Sequence, residues 1–133
     1  MTSRKQKGDF GEAMVFAAVV KLGYKVAVPW GEDWRYDLIV LRNDKLERVQ
    51  CKYVESDGKR IEVPCKSSYR GTTVVYTSDN IDWIAVYDRT SDACYFLPAS
   101  MLGTGRRSIT LRLTPPKNGQ TKSILMAKDF VDW

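Results

Sequence analysis

The sequence predicts an α+β fold, a central mixed β-sheet flanked by helices with a buried helix at the N-terminus. Three observations predict it. Lys5 to Leu22 carries apolar residues at helical spacing. Short runs of β-branched and aromatic residues follow. Gly, Asn, Asp and Pro punctuate those runs, so the strands are short and joined by turns. One helix followed by strands reads as α+β. At 133 residues the chain suits one domain, residues 1–133, with a C-terminal extension.

In the helix, Phe10, Met14, Ala17 and Ala18 set the period, and Gly23 supplies a stop. The run is apolar almost all round, so the helix is expected to lie buried against the sheet. Gly11 costs about 1 kcal/mol in a helix interior, which points to close packing or close backbone approach there. Tyr24 to Val28 reads as a strand and Pro29 to Trp34 as a loop. Asp37 to Leu41 is a second strand, Asn43-Asp44 a turn, and Leu46 to Val54 a third strand that completes a meander. Ser56-Asp57-Gly58 breaks it. Lys59 to Gly71 is a basic hairpin or loop carrying Lys59, Arg60, Lys66 and Arg70. Thr72 to Tyr76 is a short strand, and Ser78 or Asp79 caps a single helical turn. Ile84 to Tyr87 and Cys94 to Leu97 form a hairpin. Pro98 to Leu102 is a short helix, and Ile109 to Leu113 alternates as a half-exposed strand does. Pro115 to Gly119 is a loop, and a polar tail with Phe130 and Trp133 closes the chain.

Composition narrows the chemistry. With 44% hydrophobic and 28% charged residues the chain resembles a soluble globular protein with one core. No run approaches the ~20 apolar residues of a membrane span. No secretory leader is expected after the basic stretch Met1 to Lys7. Cys51, Cys65 and Cys94 lack CxxC spacing and read as reduced thiols of a cytoplasmic protein. A net charge of +5 and a pI of about 9.2 permit an anionic partner such as nucleic acid without requiring one. Histidine is absent. That excludes Ser-His-Asp and Cys-His hydrolases, His-dependent nucleases and His-ligated metals. A catalytic metal would have oxygen ligands, which favours Mg2+, with Mn2+ as a substitute.

Four polar residues stand in core-forming segments: Glu12 in the helix, Asp37 opening the second strand, and Gln50 and Lys52 in the third. Burying such groups is costly unless they are paired or bind something. Gln50 and Lys52 are two apart, so both project from one face, about 7 Å apart along the strand. Val49, Cys51 and Tyr53 face the other way, and the meander can bring Asp37 beside Gln50. These residue types suit metal-assisted phosphodiester cleavage. Asp37, the Gln50 side-chain oxygen and the Cys51 carbonyl offer hard ligands. Lys52 can stabilise transition-state charge or orient the attacking water, and Glu12 can complete the shell directly or through water. Each residue alone has a plainer reading: Asp37 as a turn residue, Glu12 on an exposed helix edge, Gln50 and Lys52 on the wet face of an antiparallel strand. Order and spacing carry the argument.

That order resembles the PD-(D/E)XK nuclease superfamily. Glu12 stands at the first-helix acid, Tyr36-Asp37 at the "PD" position and Gln50-Cys51-Lys52 at (D/E)XK. Tyr36 replaces Pro and Gln50 replaces the second acid. The Gln variant resembles the small homing endonucleases of bacterial group I introns, and the segments 76–87 and 111–120 look like that branch too. The resemblance implies a restriction-endonuclease-like fold. It also implies a magnesium-dependent, sequence-specific endonuclease of double-stranded DNA that leaves 5′-phosphate ends. Finally, it implies a homo-oligomer, a tetramer or a dimer, reading a long, near-palindromic site.

Lys59, Arg60, Lys66 and Arg70 are candidates for a DNA-contacting arm, against a solvated loop. Lys5, Lys7, Arg106 and Arg107 are weaker candidates. Trp30 and Trp34 flank the loop before Asp37 and are open to two readings, packing anchors or base-stacking residues. Rival functions are a Holliday junction resolvase or restriction enzyme of the same fold, a DNA-binding module with a decayed site, and a protein with no nucleic-acid role.

Overall fold

The chain starts in helix α1, Arg4–Lys21. Ser3 opens it with a capping box: its hydroxyl accepts the Gln6 N–H, and the Gln6 side chain accepts the Ser3 N–H. Gly23, at φ 94°, ends it as predicted. The computed structural model describes residues 3–69 and 71–133. Among the described residues nine strands follow the helix: β1 Lys25–Ala27, β2 Leu38–Arg42, β3 Lys45–Val54, β4 Arg60–Pro64, β5 Lys66–Tyr69, β6 Thr72–Val75, β7 Trp83–Asp88, β8 Ala93–Pro98 and β9 Ser108–Arg112.

Five of them form a mixed sheet in the order β1-β2-β3-β7-β8. The predicted meander β1-β2-β3 is antiparallel. β7 then runs parallel to β3, with Val49 beside Trp83 and Lys52 beside Val86. β7 is buried on both faces and reads as a continuous apolar run, as a central strand should. On one face, Val15 and Val19 of α1 pack on Val40, Val49, Ala85, Tyr87 and Phe96. On the other, β4 pairs with β9 and lays Ile61, Val63, Ile109 and Leu111 over Ile84, Val86 and Leu97.

The structure refines four expectations. α1 is buried along one stripe only; Phe16 and Val20 are 39% and 50% exposed, because the sheet lies on one side of the helix. The second face of the sheet is covered by the β4–β9 ribbon and two short 3-10 turns, Ala99–Leu102 and Ala127–Phe130, in place of an α-helix. The segment 59–71 is not one arm. The alternation of buried Ile61 and Val63 with exposed Arg60 and Glu62 commits β4 to β9, while β5 turns back onto β6. The single helical turn expected to be capped by Ser78 or Asp79 is capped by Thr77, whose carbonyl accepts the Asn80 and Ile81 N–H groups and whose hydroxyl accepts the Asp79 N–H. The C-terminal segment also packs: Trp133 stacks on Phe96 at 4.9 Å and meets Trp83 edge-on at 5.2 Å.

Candidate active site

Asp37 stands one residue before β2. Its N–H donates to the Val49 carbonyl at 2.8 Å, extending the β2–β3 ladder past the Leu38–Val49 pair. Its carboxylate accepts the Cys51 N–H at 2.9 Å. The acid is therefore fastened to the middle of Gln50-Cys51-Lys52. β3 alternates as its sequence predicts. Val49, Cys51 and Tyr53 join the cluster under α1. Lys52 turns to the opposite face, where its ammonium lies 5.2 Å over the Tyr76 ring and donates to the Lys66 carbonyl at 3.0 Å. The Gln50 amide nitrogen lies 3.4 Å from the Cys51 carbonyl, a long hydrogen bond.

Glu12 arrives from the helix, and Gly11 explains how. A Cβ on Gly11 would stand 3.0 Å from the Tyr53 Cβ and 3.5 Å from the Lys52 carbonyl oxygen. The missing side chain lets α1 lie against the backbone of β3. The next residue, Glu12, then lines a cleft of about 320 Å³ together with Tyr36, Asp37 and the loop from Val28 to Trp34.

The charges are under-compensated. Burial pushes the Asp37 carboxyl above its ordinary value, against the opposing pull of the Cys51 N–H and the Lys52 charge. Burial raises Glu12 as well, and the neighbouring charge of Asp37 adds to it. Burial lowers Lys52, with Asp37 working the other way. Asp88 is the contrast. It is fully buried. Burial pushes it up, but hydrogen bonds from Ser91 and Ser56 outweigh that and hold it below the usual range. Asp88 is a satisfied structural carboxylate. Glu12 and Asp37 keep negative charge that a cation would relieve.

The structure thus brings Glu12 and Asp37 to one cleft and ties Asp37 to Cys51, between Gln50 and Lys52, while Lys52 lies on the opposite face of β3 with its charge still acting on Asp37. It does not bring the basic candidates to the same place. Lys59 and Arg60 line a separate hollow with Arg112 and Lys117 at the start of β4. Lys66 approaches Lys52 through its backbone carbonyl. Arg70 lies outside the described residues. Tyr76, just past β6, and the Lys66 carbonyl of β5, the two groups that seat Lys52, have no sequence signature, because they lie outside the meander and no local period encodes their meeting. Among the described residues no group of three or more Asp, Glu or Cys side chains is arranged to hold a metal. Two carboxylates, one amide oxygen and one backbone carbonyl do fit the hard, part-hydrated site that Mg2+ takes.

An acid from the first helix and an acid entering the second strand at one cleft, with a lysine on the third strand whose charge interacts with the second acid, are the marks of a metal-assisted nuclease. The sequence profile described as PD-(D/E)XK endonuclease matches residues 2–132, and the chain belongs to that family. Its members are nuclease hydrolases of DNA and generally use divalent metals. A solved structure, described as that of a bacterial homing endonuclease, I-Ssp6803I, is similar with a TM-score of 0.68 at 23% identity. The likeness covers 91% of this chain and 86% of that one and shows a shared fold. No curated protein matches the chain.

Proposed function

We propose that this protein is a site-specific, magnesium-dependent endonuclease of double-stranded DNA. In this reading it is a homing endonuclease of the intron-encoded kind, acting in the cytoplasm as a homo-oligomer, a tetramer or a dimer, on a long, near-palindromic site. The observation that carries the proposal is the bond between the Asp37 carboxylate and the Cys51 N–H, which couples the "PD" acid to the Gln-Cys-Lys strand.

Asp37, the Gln50 side-chain oxygen, the Cys51 carbonyl and Glu12 would hold the cation. Such a cation offsets phosphate charge, lowers the pKa of bound water and stabilises the leaving oxygen. The chain's own groups do the rest. Asp37 is oriented by one N–H and keeps negative charge toward the cleft. Lys52 is positioned by the Lys66 carbonyl and the Tyr76 face, so its ammonium meets the developing charge with little reorganisation. Glu12 supports the cation directly or through water. Hydrolysis leaves 5′-phosphate ends.

The test is cleavage of a randomised duplex library and of four-way junctions with Mg2+, beside a Lys52→Ala control. Discrete, magnesium-dependent duplex cuts lost in the control support the proposal. Preferential cutting of junctions transfers the activity to a resolvase of the same fold. Tight duplex binding with no cuts leaves a binding module.

A further inference from the structure

A second hollow, of about 340 Å³, adjoins the acidic cleft. Asp33, Trp34 and Arg35 form one side, Ser67 and Ser68 of β5 the other, with Tyr76 also lining it. Asp33 and Trp34 line both hollows, so the two meet at this loop, while Arg35 belongs to the second alone. Tyr76 is the same ring that lies beneath the Lys52 ammonium. Ser67 directly follows Lys66, whose carbonyl holds that ammonium. The hollow therefore lies between Tyr76, which seats the candidate catalytic amine, and the loop that borders the acidic cleft.

Its lining offers a nucleotide hydroxyls, one cation and two aromatic residues, with the Asp33 carboxylate at the edge shared with the acidic cleft. The Trp34 indole is 47% exposed, yet it is fixed in place. Its N–H donates to the Trp30 carbonyl at 2.8 Å, and its ring meets Tyr36 edge-on at 5.5 Å. Arg42 and Arg48 are spent on Glu47 and Asp82. Arg35 has no such ion pair among the described residues. An unpaired arginine beside a phosphodiesterase site is free to form charge-assisted hydrogen bonds with phosphate. The volume lies at the small end of ligand pockets and suits one nucleotide rather than a duplex.

Building on the endonuclease reading, we propose that this groove binds the nucleotide next to the scissile phosphate. Arg35 holds its non-bridging phosphate oxygens, and Trp34 packs against its sugar or base. Arg35 is thus a positioning residue that sets the strand relative to Lys52.

The test uses the duplex recovered from the cleavage library, bound in EDTA over a range of KCl, with parent, Arg35→Gln and Arg35→Lys. Arg35→Gln should weaken binding about tenfold or more and reduce the log–log salt slope by about one. Arg35→Lys should restore the slope. A single neutral methylphosphonate beside the cut should weaken the parent and leave Arg35→Gln almost unaffected, because both remove the same contact. An unchanged slope, or fully additive effects of the two changes at every position, overturns the assignment. A parent that neither binds nor cuts duplex DNA removes the endonuclease reading with it. A parent that cuts while Arg35→Gln matches it removes only the groove.

Discussion

The Asp37 carboxylate and the Cys51 N–H meet at 2.9 Å, and this bond joins two motifs that lie well apart along the chain. It orients the acid without neutralising it. Asp88, on the same sheet, shows a carboxylate whose charge is fully solvated by the fold: the N–H and hydroxyl of both Ser56 and Ser91 converge on it. The difference between the two carboxylates separates a group satisfied by the fold from one that the proposed chemistry would use.

Asp37→Asn keeps an oxygen for the Cys51 N–H but loses the charge. Cleavage should fall by about 100-fold or more. Stability should move the other way. The folded carboxyl titrates above its ordinary value of 3.8, so the folded state holds its proton more tightly than the unfolded state. Stability from this group is therefore lost as pH rises from about that value through the folded pKa, and the loss persists above it. Thermal melts should show Asp37→Asn above the parent at about pH 7, with the gap closing toward about pH 4. A variant that melts below the parent at neutral pH contradicts this.

Gly11→Ala sets propensity against packing. Alanine gains about 1 kcal/mol as a helix former. The new Cβ, however, falls 3.0 Å from the Tyr53 Cβ and 3.4 Å from its Cα, on a strand that cannot give way freely. Overpacking costs about 1–3 kcal/mol, so the net is destabilisation of about 1 kcal/mol. Cleavage should fall further than stability does, since the collision pushes Glu12 away from β3. Urea unfolding that shows a more stable variant refutes the close-approach argument.

Gln50→Glu restores the second acid of the family pattern. The added charge lies on the strand that Asp37 grips, so Mg2+ should bind more tightly than to the parent. Calorimetric titration reads this directly, and equal or weaker binding sinks the idea.

Asp88→Ala removes the acceptor for the Ser56 and Ser91 donors at a fully buried site. A loss of about 3 kcal/mol is expected, with cleavage retained below the melting temperature. A loss under about 1 kcal/mol in denaturant titration contradicts the structural role.

Much of this was legible in the sequence. Helix α1, the meander and the β7–β8 hairpin follow from local period and turn residues, and β3 faces as its alternation says. Gly11 announced its close approach by being unfavourable where it stands. The neighbours of β3 were not legible. Nothing near Lys52 names Tyr76 or Lys66, and nothing near Asp88 names Ser56, because those contacts depend on strands that meet only in the tertiary fold. The basic stretch from Lys59 resembles one unit because its charges are close in sequence. The alternation of Ile61 and Val63 was the stronger signal, and it divides that stretch between two ribbons. Trp30 and Trp34 were open to the same two readings. The structure gives Trp34 an edge-on partner in Tyr36 and leaves Trp30 at 94% exposure.

The central claim is that Asp37 and Lys52 act as one metal-dependent site. Single-turnover cleavage of bound duplex in Mg2+ tests it most directly, with parent, Asp37→Asn, Lys52→Ala and the double variant. The account predicts a loss of about 100-fold or more in each single variant, and a double variant no slower than the slower single. Cleavage retained in either single variant, or losses that multiply in the double, would contradict it.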